Sequence, residues 1–294
     1  MLDSLFPQFI AGLARGMLYF LVASGLSLVF GVLGVVNFAH GAMYMLGAFL
    51  CYSLMKTLVI LGEFNYWATL IVAPILVAII AGIIERIALR RIYDAEHVYH
   101  LLLTWAFVYI IGDLSKIFWG TMPLIIRKPS LVIGSVSFLG ATIPGHYIYI
   151  VILSIVVGLG LWFFLYGTKY GNLIRAAAED PEMTRALGIN CDRLYLAVFM
   201  IGCWLAAIGG VAGATMLAPV VGMDIDIVIP AFIIVVVGGL GSVLGALIGS
   251  LLIGLVESFG VLLIPRLSVV LIFAVMAFVL IIRPSGLFGE PEER

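Results

Sequence analysis

The chain has 294 residues, of which 64% are hydrophobic and 11% charged, with a mean hydropathy of +1.26 and a formal net charge of −1. A soluble domain carries roughly 25% charged residues and about half apolar ones, so this composition fits a polytopic membrane protein and no other class. The basic residues stand in short runs beside apolar segments, which argues against a nucleic-acid partner.

The N-terminal MLDSLFPQ lacks a basic region, and the apolar run after it is too long for a cleaved signal. A bilayer core takes about 20 apolar residues of helix. Candidate spans lie at 9–35, 38–61, 66–89, 99–119, 146–167, 194–218, 228–256 and 267–283, an all-α chain of about eight transmembrane helices forming one domain over 1–294. Two stretches interrupt this pattern. Asn37-Phe38-Ala39-His40-Gly41 separates the first two runs, and Gly238-Gly239-Leu240-Gly241-Ser242 lies inside the seventh. Irregular backbone at membrane depth must be buried in protein or line water, so each is either a cytoplasmic turn or a broken or re-entrant helix beside a pathway. Read as a turn, the second break raises the count to nine crossings. The side of the N-terminus stays open.

Orientation follows Lys and Arg near the span ends. Arg86, Arg90 and Arg91 after the third span make 90–97 cytoplasmic. The loop 120–145 is then extracytoplasmic; it holds Arg127, Lys128, Pro129 and Pro144, and the alternation of LVIGSVSF predicts a small strand pair. The segment 169–193 is inside, Pro219–Asp226 is outside, and the tail RPSGLFGEPEER is inside.

KYGNLIRAAAEDPEMTRALGINCDR, at 169–193, carries eight charges between two apolar spans and is too polar for lipid. It contains a short helix with both ends marked: Asp180 as N-cap, Pro181 in the first helical position, Glu182 at the positive end of the dipole, and Gly188 as the left-handed stop. Met183, Ala186 and Leu187 form its apolar face. Two turns are not stable alone in water, so this is either a connecting loop with a supported helical turn or a segment that docks on a partner.

Gly241, Gly245 and Gly249 share one helix face, as do Gly209 and Gly213, in the small-xxx-small spacing of close helix packing. Arg15, Asp113, Lys116 and Glu257 are ionisable residues within spans; all lie near span ends, where they can snorkel or pair. Asn37 and His40 can bond a polar ligand or satisfy backbone freed by the break. Cys51, Cys191 and Cys203 form no metal or disulfide framework. No catalytic motif, metal-ligand spacing or phosphate loop is present, so no catalytic residues, no metal and no cofactor are expected in this chain.

Taken together, NFAHG (37–41), ERIALRR (85–91), RAAAEDPEMTRALGIN (175–190), VVGGLGSVLGALIGS (236–250) and IGLVES (253–258) resemble the permeases of branched-chain amino acid ABC importers, specifically the H-type subunit of the paired H and M permeases. The resemblance covers nearly the whole chain. It implies a bacterial inner-membrane permease working with a second, M-type permease, two cytoplasmic ATPases that use ATP, and a periplasmic binding protein. It implies that 169–193 is the cytoplasmic coupling segment, with Arg175, Glu179, Asp180, Pro181, Met183, Arg185, Leu187 and Gly188 facing an ATPase. Asn37, His40, Gly41, Gly238, Gly239 and Gly241 are the candidate pathway residues, and Gly245 and Gly249 the packing residues. The chain departs from the family pattern at Ala42 and Leu244, and its 120–145 loop does not closely match leucine-type permeases. Related systems carry urea, short amides and aromatic acids as well as amino acids. An ion-coupled secondary transporter is the alternative, which would show an inverted repeat and a buried midplane carboxylate; a membrane scaffold is a third reading.

Overall fold

The computed structural model describes residues 2–93, 95–126, 129, 132, 134–138 and 141–289. Arg127, Lys128, part of the LVIGSVSF run and the last five residues of the tail lie outside them. In chain order the elements are α1 (Leu2–Leu33), α2 (Ala39–Thr57), α3 (Asn65–Ile87), α4 (His97–Trp119), a hairpin of β1 (Ser135–Phe138) and β2 (Ala141–Pro144), α5 (Gly145–Gly167), α6 (Lys169–Glu179), α7 (Pro181–Ala186), α8 (Cys191–Gly213), α9 (Met223–Gly238), α10 (Val243–Leu263) and α11 (Ser268–Ile282). The hairpin is antiparallel, with Val136 opposite Ile143. Among the described residues, seven helical stretches are long and apolar enough to cross a membrane; α2 and α9 are not among them.

α1 is the central helix. Every residue from Gly16 to Val29 is buried, and it packs on α10, α8, α5 and α9. Lipid is as apolar as leucine, so helices in it associate through close packing rather than hydrophobic burial. The glycines supply that approach. Gly25 and Gly202 bring α1 onto α8, Gly16 and Gly254 bring α1 onto α10, and Gly210 brings α8 onto α2 at Tyr44. α4, α5 and α11 lie outside this core and expose large aliphatic side chains such as Ile110, Leu159 and Ile281.

The seventh predicted span, 228–256, is two helices. Gly239 (φ 106°) and Gly241 (φ 82°) adopt left-handed backbone that other residues avoid. Ser242 then caps α10, its Oγ accepting from the Gly245 N–H at 3.0 Å. α9 and α10 run antiparallel, with Gly238 against Gly245 and Ile234 against Gly249.

The ends of the bundle sort by contact. Gly31 meets Gly241, Gly239 meets Gly286, and Ile174 of α6 joins Leu28 and Val243 in one apolar cluster. That end carries the basic residues and is cytoplasmic by the positive-inside rule. At the other end, Gln8 Nε2 donates to the Ser258 carbonyl, the Leu124 N–H to the Pro219 carbonyl at 2.9 Å, and Tyr66 Oη to Tyr149 Oη at 2.9 Å. The start of α1 therefore lies at the outer end.

Candidate functional site: the charged segment and the broken helices

The charged segment contains the expected short helix, α7, preceded by a second one, α6, with the break at Asp180. α6 begins at Thr168, whose Oγ1 accepts from the Gly171 N–H at 3.1 Å. Gly171 packs so tightly on the end of α5 that any β-carbon would overlap the Leu165 carbonyl. Arg175 clamps the same corner: its guanidinium donates to the Leu165 carbonyl and to Asn172 Oδ1, each at 2.9 Å, and lies 4.5 Å from the Tyr166 ring centroid. A cation at a helix C-terminus is favourably placed against the dipole. The sequence signal for α6 as a separate helix is the three-residue spacing of Gly171, Ile174 and Ala177, its buried face, between polar residues.

α7 follows with the expected ends. Asp180 Oδ1 accepts from the Met183 N–H at 2.9 Å, and Pro181 is the first helical residue. Gly188 (φ 83°) closes it, with Gly188 N–H to the Arg185 carbonyl at 2.9 Å and Ile189 N–H to the Thr184 carbonyl at 3.3 Å, the paired bonds of a Schellman ending. Thr184 faces inward and is buried, while Met183 (58% exposed) and Leu187 (74%) face outward. Glu179 and Arg185 are exposed as well. Asp180→Ala removes one cap and is expected to cost about 1 kcal/mol locally, seen as faster amide exchange at Met183 with unchanged exchange in α8.

A second tie anchors this segment to the core. Arg90 pairs with Asp192 at the start of α8, and that carboxylate raises the guanidinium above its ordinary pKa. Tyr93 Oη donates to Glu85 Oε1 at 2.6 Å; burial first, and then this bond, push the phenol well above its usual value, so it stays the donor. The Tyr93 ring also meets Tyr195 edge-on at 5.8 Å. These contacts tie the start of α8, where the charged segment ends, to the end of α3.

At the first break the chain turns back into the bundle. Leu33 ends α1, and the chain reaches Ala39 in six steps; extended chain covers about 3.3–3.6 Å per residue, enough to climb beside the last turns of α1. His40 Nε2 lies 3.0 Å from the Val22 carbonyl, eleven residues back from Leu33. α2 therefore begins inside the membrane, without a side-chain cap. Asn37 and His40 are fully buried, and neither the Asn37 amide nor His40 Nδ1 has a partner among the described residues. Gly41 lies on the first turn of α9, where a β-carbon would overlap the Asp224 carbonyl. Asp224, expected in an outer loop, is instead buried in that turn.

At the second break Gly238, Gly239 and Gly241 make backbone contacts with Gly245, Gly289 and Gly31 respectively. Gly245 sits face to face with Gly238, while a β-carbon on Gly249 would lie 2.9 Å from the Ile234 carbonyl. The four ionisable span residues pair off: Arg15 Nη1 donates to Glu257 Oε1 at 3.0 Å with Tyr19 Oη on Oε2 at 2.7 Å, and Lys116 Nζ donates to Asp113 Oδ1 at 2.8 Å.

The sequence matches the family model described as "Branched-chain amino acid transport system / permease component" over residues 8–280. It is similar to the high-affinity branched-chain amino acid transport system permease protein LivH of Escherichia coli (strain K12), 31% identical over 97% of this chain and 96% of the relative. LivH of Salmonella typhimurium (strain LT2) and BraD of Pseudomonas aeruginosa, the latter bearing the same description, are each 30% identical with the same coverage. No solved structure matches the chain.

Proposed function

This chain belongs to the family of permease components of branched-chain amino acid transport systems, and from that premise we propose how it serves an ATP-driven importer. It is a multi-pass inner-membrane permease that forms half of a translocation pathway for branched-chain amino acids or related solutes. The other half comes from a second, M-type permease. Two cytoplasmic ATPases supply ATP hydrolysis, and an extracytoplasmic binding protein delivers the solute. The chain forms one permease domain, with 120–145 as its outer loop and 169–193 as its coupling segment.

The observation that carries this reading is α7: a helix capped at both ends with Met183 and Leu187 exposed at the cytoplasmic end, leading directly into the start of α8, which Arg90 holds to the end of α3. An exposed apolar pair on a helix too short to stand alone suits a partner's groove. ATP-driven closure of the partner ATPases pushes α7, Arg175 transmits the push to α5, and Arg90–Asp192 transmits it to α3 and α8. The buried starts of α2 and α9, with Asn37, His40 and Gly41, then shift relative to the Gly238–Gly241 turn and switch access.

The test is gentle purification of the tagged chain, then reconstitution with whatever accompanies it. Two ATPases and a second permease should appear, and leucine uptake should follow ATP and the loaded binding protein and survive an ionophore. Uptake that needs an ion gradient and ignores ATP would overturn the proposal in favour of a secondary transporter.

A further inference from the structure

α4 exposes two faces of different chemistry. Ile110, Leu114 and Ile117 form an aliphatic face suited to lipid. About 90° around the helix, Trp105, Tyr109, Asp113 and Lys116 recur at three- and four-residue spacing, on one stripe of a 3.6-residue helix. The Asp113–Lys116 pair is widely open, at 67% and 49% side-chain exposure. Asp113 and Lys116 lie in the last two turns of α4, at its outer end, where the paired charges reach water.

The stripe borders a groove. α4 and α9 both pack on α2 but make little contact with each other. Phe38 sits between them, meeting Trp105 edge-on at 5.3 Å and Phe232 of α9 at 4.7 Å. Tyr109 continues the aromatic strip outward, 6.0 Å from Trp105. At the cytoplasmic end the same groove opens into a cavity of about 400 Å³ walled by Leu26, Phe30, Val36 and Val236. At the outer end, Asp226 is exposed on the first turn of α9.

We propose that this groove is the solute-facing wall of the chain, and that Asp113 and Lys116 receive the charged head of a zwitterionic aliphatic amino acid. Lys116 takes the α-carboxylate, Asp113 takes the α-ammonium, and the hydrocarbon tail lies on Tyr109, Trp105 and Phe38. At rest the two side chains neutralise each other, so an incoming zwitterion exchanges one ion pair for two without leaving a charge unpaired. Such an exchange is close to balanced, and it holds the solute weakly enough to let it leave. Asp226 adds negative charge on the first turn of α9, which disfavours dicarboxylates relative to zwitterions. The inference rests on the amino-acid permease reading and assigns residues to it.

The test uses the whole transporter, with its second permease, ATPases and binding protein, in proteoliposomes. The chain's own cysteines are buried, so single cysteines report locally. Tyr109→Cys should react with a membrane-impermeant methanethiosulfonate, with loss of leucine uptake, while Ile110→Cys stays unreactive. Asp113→Asn and Lys116→Gln should each lower leucine uptake about tenfold, the factor for one lost charge-assisted hydrogen bond, with stimulation of ATP hydrolysis by the loaded binding protein retained. A wild-type complex that transports leucine while Tyr109→Cys is as inert as Ile110→Cys, or while both charge variants transport normally, overturns the groove assignment. In that case the stripe contacts the second permease. A wild-type complex that moves no amino acid under ATP overturns the underlying reading instead.

Discussion

Replacing Met183 and Leu187 together with aspartate is expected to lower ATP-driven uptake by at least about 100-fold while leaving the chain folded. The two side chains are 58% and 74% exposed and touch little of their own protein, and surface changes of this kind alter stability by only about 0.5 kcal/mol. The elements that hold α7 are left in place: the Asp180 cap, the Thr184 Oγ1 bond to the Asp180 carbonyl at 2.8 Å, and the Gly188 ending. Under the proposed coupling, the substitutions remove an apolar anchor and add charge where an ATPase groove would close on α7. Loss of a central anchor of this type costs about 2 kcal/mol or more, and two such losses reach the stated factor. The measurement pairs leucine uptake with the ATPase rate and the gel-filtration profile. Unchanged uptake by the double variant, with ATPases still bound, would remove α7 from the coupling role. A chain that no longer folds would show instead that Met183 and Leu187 support their own helix.

The second large effect concerns glycine substitutions, where changes at Gly245 and Gly249 of the α9–α10 contact and at Gly112 of α4 are expected to separate. Gly245→Val should prevent accumulation of folded protein, because its β-carbon falls on the Gly238 carbonyl and both partners are main chain that cannot step aside. Overpacking costs about 1–3 kcal/mol when side chains can adjust, and a backbone–backbone contact belongs at or beyond the top of that range. Gly249→Ala should be milder, since its single β-carbon reaches 2.9 Å from the Ile234 carbonyl and lies in ordinary contact, 3.5 Å, with the Ile234 side chain. Gly112→Ala, with nothing within 4 Å of the added carbon, should be neutral or gain about 0.4–1 kcal/mol through the unfolded chain. The yield of folded protein checks Gly245→Val, and thermal denaturation in detergent ranks Gly249→Ala and Gly112→Ala against the parent. Normal yield and an unchanged melting temperature for Gly245→Val would show that the α9–α10 contact is not set by Gly245.

Much of this architecture is legible in the chain alone, for local reasons. Apolar runs of helical length require a bilayer whatever their neighbours are. The cap at Asp180, the proline at 181 and the glycine at 188 determine α7 through bonds that span no more than a few residues. The family resemblance likewise rests on contiguous motifs such as NFAHG and EDPEMTRALGIN.

Tertiary structure decided what local chemistry left open. The Gly238–Ser242 run reads equally as a break or a turn until Gly238 meets Gly245 and makes two antiparallel helices. The depth of His40 depends on Val22, eighteen residues away in sequence, and Asp224 looks like a loop residue until Gly41 seats against it. Arg15 and Glu257 are separate oddities in a linear reading, yet they are partners across 242 residues. Periodicity and capping act within one helix and so are written in neighbouring letters. Which glycine meets which backbone, and which charge finds its counter-charge, depends on how helices cross, and only the folded bundle determines that.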